Sequence, residues 1–269
     1  MANYIPPEIW AWDKESGGEF ADINRPVAGK THEKILPVGE HPLQLYSLAT
    51  PNGVKATIML EELLALGNKG AEYDAHLIKI NGEQFSSGFV SLNPNSKIPV
   101  LLDNSTNPST RIFESGAILI YLAEKFGVLY PPELSARAEC LSWLMWQMGG
   151  LGPMFGQLLV FAAAFENSIP AATDRYGKET RRLLSVLNTR LEGRDFLASN
   201  YSIADIASMA WMPMVEKVGW EMADWPNVNA WYDRCMSRPA YAKAVEAAGT
   251  LPDEVRMANF RKGTVGLGS

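Results

Sequence analysis

The chain has 269 residues, 47% of them hydrophobic, and a formal net charge of −6. That length and apolar content support one large domain or two of ordinary size with a real core, and they exclude a disordered or fibrous chain. The acidic balance, with no basic run longer than Lys178–Arg182, argues against nucleic acid as a partner.

Targeting and redox signals are equally sparse. The opening segment MANYIPPEIWAWDKESGGEF has no basic n-region or apolar h-region, so it is no secretory signal and the expected location is cytoplasmic. The most apolar stretch, Leu151 to Phe165, is too short to span a bilayer and contains Gly152, Pro153 and Gly156. A membrane is not an expected partner. Cys140 and Cys235 lie far apart, forming neither a disulfide framework nor a CxxC pair, and read as buried thiols in helices. His32, His41 and His76 show no ligand-like spacing, so no metal site is expected.

In chain order, residues 1–42 combine many prolines and glycines with Tyr4, Ile5, Trp10, Trp12 and Phe20, which predicts an ordered N-terminal arm wrapped over its own chain or a partner. From residue 43 the pattern becomes regular. The spacing predicts strand 43–47, helix 53–66, strand 73–79, an irregular stretch 81–95, strands 98–102 and 110–113, and helix 115–126. Residues 43–129 thus read as a compact α/β unit of thioredoxin size. After Tyr130–Glu133 the strand signals stop, and helical patterns at 133–148, 154–166, 171–191, 202–217, 226–236 and 239–248 predict an all-α domain over 133–250. Residues 251–269 read as a tail.

Three stretches carry candidate chemistry. Thr50-Pro51-Asn52-Gly53 joins a strand to a helix whose N-terminal N–H groups and partial positive charge favour an anion. The Thr50 hydroxyl and Asn52 amide could solvate a ligand's thiolate and lower its pKa, although the same residue types also make an ordinary N-cap. In NPNSKIPV, residues 93–100, Pro99 begins an apolar strand, so the backbone of Ile98 can pair with a peptide-like ligand as an added strand, and Lys97 can meet a carboxylate. At RIFESGAILIYLAEKFG, residues 111–127, Ser115 and the first N–H groups of a helix can bind a carboxylate while Glu114 accepts from an amine. Those two charges sit side by side on an α-amino acid.

TPNG after the first strand, NPNSKIPV before the third and FESGAILIYLAEKFG at the last helix of the unit together resemble the glutathione transferase family. The arm segments WDKESGGEFADINRP and HEKILPVGEHPLQLYSL, with QFSSGF at 84–89, resemble its bacterial Nu class. The resemblance covers roughly residues 8–127 closely and the helical half more loosely, where Ser202-Ile203-Ala204-Asp205 is similar to the family's capping box.

That resemblance implies an α/β thioredoxin-like domain binding glutathione, followed by an all-helical domain lining the second substrate's pocket, in a homodimer. It puts the glutathione sulfur at Thr50 and Asn52, the cysteinyl backbone on Ile98 beside a cis Pro99, and the γ-glutamyl head on Glu114 and Ser115. Gln84, Lys97 and Arg175 are its further ligand positions. Tyr46 and Ser47 stand as alternative sulfur donors, since other classes use a tyrosine or serine near that point. Trp143, Met145, Trp146, Met148, Met154, Phe155, Phe161 and Phe165 form an apolar set from which core and pocket both draw.

The expected chemistry is glutathione-dependent reduction of a disulfide, or cleavage of an aryl or ketone thioether, with glutathione disulfide as product and up to two glutathiones per site. The second substrate is expected to be a small apolar or aromatic thioether, disulfide or electrophile. The alternative is a non-catalytic glutathione-binding or regulatory protein of the same fold.

Overall fold

The structure, a computed structural model, describes residues 28–164 and 169–247, with side chains to residue 162 in the first segment. Most of the expected arm, and the tail, lie outside those residues. The described part of the arm, residues 28–42, runs beside residues 82–88: Thr31 N–H donates to the Phe85 carbonyl, Ser87 N–H to His32 and Gly88 N–H to Lys34, at 2.8 to 3.0 Å.

A four-stranded mixed sheet follows, in the order β2-β1-β3-β4. Its strands are β1 (Leu43–Ser47), β2 (Tyr73–Leu77), β3 (Val100–Asp103) and β4 (Thr110–Phe113). β1 runs parallel to β2 and antiparallel to β3, and β3 is antiparallel to β4. β1 lies inside the sheet and is buried at all five positions, so its alternation of Leu43, Leu45 and Tyr46 serves two packed faces. β3 begins at Val100, two residues later than the spacing predicts, because Pro99 has no N–H for the ladder.

α1 (Gly53–Ala65) lies against the sheet and is buried from Gly53 through Leu63 apart from Val54. α3 (Ser115–Phe126) packs beside it. Between β2 and β3, where an irregular stretch is predicted, Glu83–Phe85 forms a 3₁₀ turn and Ser87–Leu92 a short helix, α2. Ser86 and Gly88 lie inside the stretch predicted to be irregular. Here Ser86 is the extended residue that starts α2, and Gly88 lets the arm backbone approach, since a Cβ there would sit 2.7 Å from the Lys34 carbonyl oxygen.

Beyond Leu134 the described residues form helices without strands. α4 (Leu134–Trp146) continues through a π-helical turn at Gln147–Leu151 into α5 (Gly152–Leu159), where the glycines and Pro153 predict a break. Pro153 falls in the first turn of α5, where a missing N–H costs little, and the wide turn before it absorbs the two glycines. α6 spans Pro170–Arg190. The helix predicted over 202–217 is divided by Pro213 into α7 (Ile203–Met209) and α8 (Met214–Lys217). α9 (Pro226–Met236) and α10 (Pro239–Ala247) complete the described chain.

The capping box opens α7 as expected: Ser202 Oγ accepts from the Ala204 N–H, and the Asp205 carboxylate accepts from the Ser202 N–H at 3.0 Å. The buried apolar cluster runs without interruption from β1, α1 and α3 into α4, α6, α7 and α9. Cys140 and Cys235 are free and fully buried within it. No helix among the described residues is long and apolar enough to cross a membrane.

Candidate functional site

The site is built where β1 hands over to α1. After Ser47 the chain turns through Leu48–Asn52, and the Thr50 N–H donates to the Leu48 carbonyl at 2.7 Å. A Cβ on Gly53 would lie 1.9 Å from that same carbonyl oxygen, so the turn closes this tightly only over glycine. Asn52 occupies the N-cap position of α1 but makes no side-chain cap bond. Thr50 supplies it instead: its Oγ1 accepts from the Gly53 N–H at 3.1 Å. A hydroxyl that accepts through a lone pair still has its own proton to give. Thr50 can therefore cap the helix and donate to a ligand at once.

Asn52 is exposed, and its Oδ1 accepts from Lys55 Nζ at 3.0 Å. With the oxygen committed, the amide nitrogen is the end left to donate. Lys55 itself is fully buried on the first turn of α1. Its Nζ also donates to Gln147 Oε1 at 2.7 Å, and it lies 3.4 Å from both Ser115 Oγ and Met148 Sδ. Burial pulls this ammonium down to about 7, opposed by the Glu114 carboxylate.

The N-terminus of α3 comes to the same place. Ser115 is buried, and no side chain caps the first turn of the helix, which leaves its N–H groups directed outward. Glu114 is exposed and holds φ at 72°, a left-handed conformation that a non-glycine residue adopts at a cost of about 1 kcal/mol or more. Asn95 Nδ2 approaches its Oε1 at 3.4 Å. Sequence reasoning finds Glu114 and Ser115 but not the lysine behind them.

Ile98 precedes β3 through a cis bond to Pro99. Its backbone N–H and C=O make no hydrogen bond among the described residues, so both are available to an added strand. Lys97 is partly buried, which lowers its pKa, and its carbonyl accepts from Asn93 Nδ2 at 2.6 Å. Gln84 is buried in the 3₁₀ turn, with its Oε1 accepting from the Gly82 N–H at 3.0 Å. Arg175 is exposed on α6 and shares no hydrogen bond or ion pair with these groups among the described residues.

Tyr46 is otherwise engaged. Its hydroxyl donates to the Pro37 carbonyl at 2.8 Å and its ring stacks on His76, with centroids 4.9 Å apart. It packs with Ile78, Phe89 and Val100 on the face of the sheet away from α1. The Ser47 hydroxyl lies 3.5 Å from the Leu48 carbonyl oxygen. Of the apolar set in the helical half, Met148 reaches Lys55 and Ser115, Phe155 stacks on Trp211 and Phe161 on Tyr176, Met145 is exposed, and Phe165 lies outside the described residues. Among the described residues no group of three or more His, Cys, Asp or Glu side chains could hold a metal ion.

Comparison with known proteins gives a consistent set of likenesses. Residues 41–124 match the family model of the glutathione S-transferase N-terminal domain, and residues 154–239 that of the C-terminal domain. The chain is 51% identical over 249 residues to the disulfide-bond oxidoreductase YghU of Escherichia coli, covering 88% of this chain and 85% of that protein. A Streptococcus pneumoniae glutathione transferase YghU, solved in complex with glutathione, superposes with a TM-score of 0.84 at 40% identity, over 90% of this chain and 97% of that one. A Pseudomonas putida glutathione transferase solved with one glutathione disulfide per subunit gives 0.69 at 42% identity, over 80% and 94%.

Proposed function

The chain belongs to the glutathione transferase family, and from that premise we propose that it is a glutathione-dependent disulfide reductase whose turn Thr50–Gly53 activates the sulfur of the substrate rather than a cysteine of its own. The observation that carries this reading is the orientation of Asn52. Its oxygen is held by Lys55, so its amide protons are offered at the N-terminus of α1, beside a Thr50 hydroxyl whose proton is also free to donate. Donors and a helix N-terminus favour a thiolate over a thiol there.

The remaining groups fit the rest of the tripeptide. The unpaired backbone of Ile98 suits the cysteinyl residue, and the α3 N-terminus with Ser115 and Glu114 suits the α-carboxylate and amine of the γ-glutamyl end. Gln84 and Lys97 are assigned as further contacts, and Arg175 as a contact reached from the helical half. The thiolate attacks one sulfur of a disulfide, forms a mixed disulfide with glutathione and expels the other half as a thiolate, which takes up a proton. A second glutathione thiolate then attacks the glutathione sulfur of the mixed disulfide, giving glutathione disulfide and the second thiol. The Pseudomonas relative with glutathione disulfide bound supports a site of that capacity.

Thioether cleavage draws on the same turn: a thiolate attacks the sulfur of a glutathionyl thioether, glutathione disulfide leaves, and the carbon takes up a proton. The arm segments support placement in the Nu class, and we assign the active form as a homodimer acting in the cytoplasm on small disulfides or aromatic thioethers.

The test is the steady-state rate of glutathione-dependent reduction of a small organic disulfide by wild type and Asn52→Ala. A high wild-type rate that falls by roughly 10²-fold in the variant with little change in glutathione affinity supports the reading. Absence of wild-type turnover with glutathione still bound would replace it with a non-catalytic binding role.

A further inference from the structure

Lys55 carries a positive charge into the core without touching a carboxylate among the described residues. Its Nζ is caged by Asn52 Oδ1, Gln147 Oε1, Ser115 Oγ and Met148 Sδ, all neutral. Desolvating an ammonium is costly, and buried charges are as a rule paired. The nearby charge that acts on it is Glu114 at the start of α3, whose side chain is exposed; α1 and the π-helical turn present only the neutral Asn52, Gln147 and Met148 to it.

The proposed reaction supplies the missing negative charge. If the glutathione sulfur is held by the Asn52 amide, one planar group separates the ammonium from the thiolate, with its oxygen on Lys55 and its nitrogen on the sulfur. An amide whose oxygen accepts from a cation is polarised, and its N–H groups donate more strongly. Gln147 and Met148 hold the ammonium from the π-helical turn, Ser115 from α3 and Asn52 from the turn before α1, so the lysine is fixed from three sides.

We propose that Lys55 is a positioning residue for the thiolate: its ammonium fixes the Asn52 carbamoyl with the NH₂ end toward the glutathione sulfur and relays positive charge to that sulfur through the amide. The inference rests on the assignment of the sulfur to this turn. It extends the active site by a residue that touches no reacting atom, and it makes Gln147 of the helical half part of the thioredoxin-like half's chemistry.

The experiment compares wild type, Lys55→Met, Lys55→Gln, Asn52→Ala and Lys55→Met/Asn52→Ala. It measures kcat for a small organic disulfide, the dissociation constant of glutathione, and the thiol pKa of bound glutathione from thiolate ultraviolet absorbance. Lys55→Met is expected to lower kcat by roughly tenfold or more, to raise the bound thiol pKa by about one unit, and to change glutathione affinity less than about threefold. In the Asn52→Ala background the same substitution should leave kcat unchanged, because the relay is already cut.

Lys55→Gln keeps a donor for Asn52 Oδ1 without the charge, and it should hold affinity while still raising the thiol pKa. It also stands in for Lys55→Met should that variant fail to fold. Multiplicative losses in the double variant, or a bound thiol pKa unmoved by Lys55→Met and Lys55→Gln, would overturn the proposal. Wild-type rate and thiol pKa in Asn52→Ala would instead overturn the sulfur assignment beneath it.

Discussion

Arg238 donates through Nε and Nη2 to both carboxylate oxygens of Glu62, at 2.6 and 2.7 Å, and so binds the segment leading into α10 to the last turn of α1. The carboxylate is 2% exposed, and the guanidinium also lies 4.0 Å from the centre of the Tyr201 ring. Since α1 carries Lys55 on its first turn and follows Asn52, the pair holds the helix that aims the site.

Arg238→Ala should leave a buried carboxylate without its partner and cost about 3–5 kcal/mol. The paired change Glu62→Leu/Arg238→Leu should recover a large part of that loss, because it removes the orphaned charge as well. Denaturant midpoints of the two variants and wild type check this. A loss in Arg238→Ala below about 1 kcal/mol would show the pair to be solvated and weak.

Thr50 caps α1 through its hydroxyl and is proposed to donate from the same group to the ligand's sulfur, and two readouts tell these duties apart. Thr50→Ser keeps both the acceptor for the Gly53 N–H and the free proton, and should preserve stability and turnover. Thr50→Val loses both, with an expected cost of about 1 kcal/mol from the lost cap and a fall in kcat of roughly tenfold or more. Thermal unfolding and steady-state kinetics read the two effects independently. Lost stability with unchanged kcat would reduce Thr50 to a cap.

Ser115 sits at the uncapped start of α3 with its hydroxyl near Lys55. If it binds the γ-glutamyl carboxylate, Ser115→Ala should weaken glutathione roughly five- to tenfold, about 1–1.4 kcal/mol, with kcat at saturation nearly unchanged. Titration calorimetry with glutathione measures this directly. An unaltered dissociation constant together with a lower kcat would assign Ser115 to the lysine cage instead of the head-group site.

The alternation in residues 43–47 and the helical spacing after Gly53 make the α/β unit legible from sequence, although β1 is buried at every position and α1 from Lys55 to Leu63, so the pattern gives the elements and not their exposure. α2 and the π-helical turn were not legible, because Ser86, Gly88, Gly149, Gly150 and Pro153 are local breakers whose effect here is decided by tertiary packing. Thr50, Asn52, Ile98, Glu114 and Ser115 stand as candidates in the sequence because they lie at strand ends and helix starts, where backbone groups are exposed. Lys55 was hidden for the opposite reason. A lysine on a first helical turn ordinarily points to water, and its partners Ser115 and Gln147 stand 60 and 92 positions away. The run from Gly53 to Leu63 that encloses it, buried apart from Val54, also contains Thr57, Glu61 and Glu62, so its composition does not single the lysine out.

The same burial gives stability a distinctive dependence on pH. In the folded protein Lys55 releases its proton at about 7, whereas in the unfolded chain it holds it to the ordinary lysine value of 10.5. Between those values the unfolded state binds more protons, so this group makes the fold more stable as pH rises through the window, and below about 7 the full cost of the buried charge is present. Lys55→Met removes the group and with it the slope. The unfolding free energy of wild type relative to Lys55→Met should therefore rise by a few kcal/mol between about pH 6 and about pH 9. Saturating glutathione should flatten that rise, because a thiolate beside Asn52 favours the charged lysine and lifts its folded pKa toward the unfolded value. Chemical denaturation of both proteins at the two pH values, with and without glutathione, decides it: a constant difference across pH without glutathione would show that Lys55 keeps its proton throughout.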